Sequence, residues 1–161
     1  MFYPKSQLII KKESFYPDKV VCLGSQLIII IEFLKKILAP HIWYAADIHA
    51  LSTTPNQLAF NSSFLSKIGN DLSLIEICSQ INQFLSGVFI AVHIQHSIQE
   101  IEHLEVRTED EPFRSLPING VLIEIRTFDT SFFELYSENE NIIKKLAENF
   151  NLEVTKSRRT G

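Results

Sequence analysis

Val88-Phe89-Ile90-Ala91-Val92 is apolar without a break. A strand with one face in water alternates apolar and polar residues, so an unbroken run of this length fits a strand buried on both faces. No other feature constrains the fold as much, because it requires a sheet that carries this strand in its interior.

The flanking segments supply the rest of the sheet and its cover. Leu27, Ile30, Ile31, Leu34, Ile37 and Leu38 recur at three- and four-residue spacing, with Glu32, Lys35 and Lys36 opposite. That spacing predicts a helix opened by Ser25 and stopped by Pro40. Residues 42–48, with Trp43 and Tyr44, read as a strand. Residues 52–69 are rich in Ser, Thr and Asn and read as a loop pinned by Leu58, Phe60, Phe64 and Leu65. Ser73-Leu74-Ile75-Glu76 has the form of a capping box, in which a serine oxygen and a glutamate side chain exchange bonds with backbone amides. It opens a predicted helix through Ile77, Cys78, Ile81, Phe84 and Leu85, ended by Ser86-Gly87.

Beyond the central run, residues 97–110 are polar and acidic, with a short strand expected around 103–106. Pro112 and Pro117 make 111–118 a loop. Residues 121–127 and 132–136 then read as paired strands joined by a turn at Asp129-Thr130-Ser131, whose polar side chains suit backbone hydrogen bonding. Ser137 and Glu140 form a second capping box for a helix with Ile142, Ile143, Leu146 and Phe150 inward. Residues 152–155 add a short edge strand. The expected class is α+β: one domain with a mainly antiparallel sheet and two to three helices packed on one face. Residues 1–24 read as an N-terminal extension or short strand at 7–10, 25–155 as the domain, and 156–161 as a basic C-terminal tail.

Composition narrows the function classes. The chain has 161 residues, 45% of them hydrophobic and 21% charged, enough for a packed core without metal or disulfide staples. Its net charge is −4, and the only basic cluster is Lys156, Arg158 and Arg159, so no nucleic-acid partner is expected. Cys22 and Cys78 form no CxxC pair, which leaves two buried thiols of a reducing compartment. The apolar stretch 20–31 follows Lys11, Lys12 and Lys19 as a signal peptide would. However, Glu32 ends it well short of the roughly 20 residues that span a bilayer. A buried helix in a cytoplasmic protein, with no membrane partner, is the expectation.

No P-loop, GxGxxG or GxSxG is present, and no cofactor is expected. Asp47 and His49 lie two apart and would share a face of a strand, and His93 follows the central run near a sheet end. With His96 and one of Glu109, Asp110 or Glu111, these three form a candidate divalent-metal site for hydrolysis, although their spacing matches no known metal motif. The acidic segment is the stronger lead. Residues 97–111 hold Glu100, Glu102, Glu105, Glu109, Asp110 and Glu111 against Arg107, a net −5. With −4 overall, the remainder of the chain carries +1. Charge concentrated this way steers and orients basic partners.

Trp43-Tyr44-Ala45-Ala46-Asp47-Ile48, together with Glu124–Ser137 and its Phe128-Asp129-Thr130-Ser131 centre, resembles small bacterial α+β proteins, some of them immunity-protein-like. The resemblance spans about residues 25–155, rests on structural motifs and carries over no functional residue. It implies a binding protein rather than an enzyme. Three readings follow. The first is a non-enzymatic protein–protein interaction domain whose acidic segment masks a basic partner. The second is a small metal-assisted hydrolase using Asp47, His49 and His93. The third is a homodimeric structural subunit joined through an aromatic patch of Phe132, Tyr136 and their neighbours.

Overall fold

The computed structural model describes residues 1–52, 60–96 and 100–158. Seven strands form one sheet: β1 (Ser6–Ile10), β2 (His41–Ser52), β3 (Ser66–Gly69), β4 (Ile81–His93), β5 (Val121–Phe128), β6 (Phe132–Ser137) and β7 (Thr155–Lys156). Their order across the sheet is β3-β2-β4-β5-β6-β1-β7, and every pairing is antiparallel. Helices α1 (Gly24–Ile37), α2 (Asp71–Ser79) and α3 (Glu140–Phe150) pack on one face. The α+β class, the antiparallel sheet and the one-sided helix layer all agree with the sequence reading.

The unbroken apolar run lies in β4, an interior strand third in the sheet order, and is buried on both sides. Phe89 and Ala91 enter the core beneath the helices, whereas Val88, Ile90 and Val92 enter a second apolar cluster on the opposite face. A fully buried side chain of this size contributes about 1.5–3 kcal/mol, so neither cluster is incidental.

The helix layer follows from ordinary amphipathic spacing. Leu27, Ile30, Ile31 and Leu34 of α1 face inward, as do Ile142, Ile143, Leu146 and Ala147 of α3. Gly24 fixes how closely α1 approaches: a Cβ there would stand 2.2 Å from the carbonyl oxygens of both Cys78 and Ile81. Asp71, in the first turn of α2, ties that helix to β2. Its Oδ1 accepts from Trp43 Nε1 at 2.7 Å and lies 2.7 Å from His41 Nε2. Among the described residues, no helix is long and apolar enough to cross a membrane.

The short strand expected at 7–10 forms as β1, paired with β6 and β7, and residues 1–24 bury Phe2, Leu8, Ile10, Phe15, Val21 and Cys22. Several other elements differ from expectation. β3 occupies part of the expected 52–69 loop, while Leu58 and Arg159 lie outside the described residues. Leu23 replaces Ser25 as the N-cap of α1, and its amide donates to Gln26 Oε1 at 3.1 Å. Asn70 and Asn139 are the N-caps of α2 and α3, accepting from the Ser73 and Asn141 amides. Ser137 remains the last residue of β6 and uses its hydroxyl to donate to the Leu122 carbonyl, so it cannot open a helix. No strand forms at 103–106 beyond an isolated bridge from Glu105 to Phe64.

The largest difference is the start of β4. Ile81, Phe84 and Leu85 extend a strand rather than α2. Register shifts against β2 interrupt the alternation here, so the buried positions fall at Ile81, Phe84 and Gly87. A spacing of three imitates a helix face, since bulges displace the two-residue period of a strand.

The second face is covered by residues 100–120, a strap with neither helix nor strand of its own. Ile101, Val106, Leu116 and Ile118 point down into the second cluster. The backbone of Leu116 exchanges two hydrogen bonds with that of Phe2, so the chain's first residues also hold the strap down. At its end Gly120 adopts φ +75°, and a Cβ there would meet the His96 ring at 2.3 Å. That position requires glycine.

Candidate functional site

The strap is two-sided. Ile101, Val106 and Thr108 are buried beneath it, whereas Glu100, Glu102, Glu105, Arg107, Glu109 and Glu111 are exposed above. Five of the six acidic residues expected to meet a partner therefore stand in water. Asp110 is the exception and is half-buried.

Asp110 turns down because it belongs to a buried ionic cluster. Its Oδ2 accepts from Arg114 Nε at 2.8 Å, and its backbone carbonyl accepts from Arg126 at 2.6 Å. A second Arg126 nitrogen donates to the Glu111 carbonyl at 3.2 Å. Arg114 reaches back to Glu124 on β5, with contacts of 3.0 and 2.8 Å. Glu124 and Arg126 are completely buried and lie 3.3 Å apart. The Arg126 guanidinium also sits 4.8 Å over the Tyr136 ring. The Tyr136 hydroxyl donates to Glu134 and accepts from Gln7 at 2.7 Å. Two arginines and two carboxylates thus compensate one another where neither could be buried alone.

Charge balance shows in the proton affinities. Burial alone would raise Asp110, but hydrogen bonds from Arg114 and the Arg107 amide, with the charges of Arg114 and Arg126, hold it below the ordinary carboxylate range. Glu105, at the surface, is lowered by hydrogen bonds from Arg107 and Ser63. Tyr136 is raised by burial and by its bond to Glu134. Burial pushes the Cys22 and Cys78 thiols up to about 12, so neither is an activated nucleophile.

Beside the acidic surface lies a cleft of about 300 Å³, lined by Asp47, His49, Arg107, Thr108, Glu109 and Asp129 among others. It brings together side chains from β2, the strap and the β5–β6 turn that are far apart in sequence. Asp47 and Asp129 both adopt positive φ, of 56° and 35°. In this region Asp is tolerated better than most residues. Asp47 sits at a break in the β2–β4 register and anchors the strap there: its Oδ2 accepts from the Thr108 amide at 2.9 Å. Thr108 in turn accepts from the Gly87 amide at 2.9 Å.

The expected metal trio does not come together. Asp47 and His49 approach to 3.5 Å. His49, however, pairs with Ser86, and His93 lies at the other end of β4, opposite His41. That separation is more than about 20 Å at a strand's rise per residue, far beyond a shared ion. Among the described residues no group of three His, Cys, Asp or Glu could hold a metal. Of the aromatic residues expected to join two copies, Phe132 is half-buried and stacks on Phe128 at 5.2 Å. Tyr136 is fully buried and packs edge-on against Phe113 of the strap at 5.3 Å.

Sequence reading missed the roles of Arg114, Glu124 and Arg126. Glu124 and Arg126 alternate with apolar neighbours in β5, the pattern of a strand with one wet face. Neither family models, curated proteins nor solved structures show a significant match to this chain.

Proposed function

We propose that this chain is a non-enzymatic protein-binding domain that recognises a basic partner through the outer face of the strap, in an immunity-like masking role. One observation carries the reading: the exposed glutamates stand on a backbone anchored from beneath by buried apolar and ionic contacts. A fixed acidic face, in which Arg107 offsets Glu105 alone, meets a complementary surface without first being ordered, which lowers the entropic cost of association. The cleft extends the same negative surface, because Asp47 and Asp129 join Glu109 at its rim.

The test uses Glu100→Lys, Glu109→Lys and Glu111→Lys together. All three residues are exposed, and none uses its side chain in the ionic cluster. Proteins retained from the native cell on wild-type and reversed chains are compared, and a retained protein is then purified and titrated against both. We expect a basic protein that binds the wild type, loosens as salt rises and is lost on reversal. Equal binding to both chains, or affinity indifferent to salt, rules the reading out.

A further inference from the structure

We infer that the strap is a separately opening unit, latched to the sheet by a reciprocal clasp of Arg114, Glu124 and Arg126. This rests on the proposed function only in assigning the clasp a purpose, which is to hold the acidic face ready for its partner.

The clasp is reciprocal because each side grips the other with an arginine. Arg126 of the sheet donates to the Asp110 and Glu111 carbonyls of the strap, and Arg114 of the strap grips Glu124 of the sheet. Elsewhere the strap lacks the continuous ladder that binds strands into one cooperative unit. Its remaining bonds that involve a backbone group are scattered along its length: Glu102 to the Lys67 amide, Leu104 to Leu65, Val106 to Ser63, Thr108 to the Asp47 side chain and the Gly87 amide, Leu116 to Phe2, and Gly120 to His93. Segments held by few backbone bonds open below the global unfolding free energy. The helix face shares none of these contacts. The sheet and its three helices can therefore persist while the strap lifts.

Amide hydrogen exchange over a range of low urea concentrations tests this on the full chain. In the wild type, the Val106, Thr108 and Leu116 amides should exchange faster than those of Phe89 and Ile125, and with a shallower urea dependence. Arg114→Gln should speed strap exchange about 100-fold, as expected when a buried ionic partner is withdrawn. Leu27→Ala, on the helix face, should speed Phe89 and Ile125 but leave the strap amides at the wild-type rate. It weakens the open and closed forms equally. The inference is overturned if strap and β4 amides share one rate and one urea dependence, or if Arg114→Gln leaves strap exchange unchanged. Should Arg114→Gln not fold, the wild-type urea series and Leu27→Ala decide alone. None of these readouts involves a partner, so failure of the binding reading would leave the strap result standing, and the converse also holds.

Discussion

The two faces of this sheet are covered by opposite strategies. On one, three helices present apolar stripes to Phe89, Ile123, Ile125 and Leu135, and the contact is hydrocarbon throughout most of its area. On the other, an irregular strap covers Tyr44, Val88, Ile90 and Val92 with a few apolar residues and completes the cover with an ionic cluster around Glu124 and Arg126. Helices satisfy their own backbone groups and need only an apolar stripe. An irregular segment has carbonyls to satisfy, and here the guanidinium of Arg126 donates to two of them. The contrast shows why Glu124 and Arg126, completely buried, sit on the strap side: Arg126 compensates backbone polarity that secondary structure would otherwise satisfy.

Three measurements would break or sharpen this contrast. The largest effect should come from Phe89→Ala, which empties the helix-side core. It should lower global stability in urea denaturation by about 3–5 kcal/mol while leaving strap exchange unchanged; a matching acceleration at Val106 would show that the faces are not separate. Next comes Ile101→Ala beneath the strap, for which about 2–3 kcal/mol is expected. Here strap protection and global stability should fall together, because only the closed form buries Ile101. The smallest effect concerns acid. Because Asp110 is held below its ordinary range, its anchoring contribution is complete above the unfolded carboxylate value of about 3.9. It is lost as pH falls through the lower folded value. Strap protection, corrected for intrinsic exchange, should therefore stay flat from pH 7 to about 4 and decline below; a decline between 7 and 5 would assign the latch to another group.

The same contrast explains what was legible in the sequence. Elements of the helix face announce themselves, since α1 and α3 keep strict three–four spacing and the β4 run is apolar on both sides. The strap face does not. Ile101, Val106, Thr108 and Leu116 are buried at irregular intervals, because a segment without a repeating backbone conformation has no period to display. Glu124 and Arg126 mimic a solvent face, and only the tertiary fold reveals that a segment ten or more residues earlier neutralises them. The acidic character of the strap was visible from composition. That Asp110 serves the clasp while its neighbours Glu109 and Glu111 remain in water was not.

One contact at the rim of the sheet carries a further consequence. The Lys67 amide on the outer edge of β3 donates to the Glu102 carboxylate at 3.0 Å, and the Leu65 amide nearby donates to the Leu104 carbonyl. The strap thus closes a strand edge as well as an apolar face. Any excursion that lifts residues 102–104 uncovers both at once, and an open edge beside exposed Val and Ile is a template for pairing with another chain. The shelf life of a concentrated solution of this protein should accordingly follow how often the strap lifts rather than the midpoint of thermal unfolding.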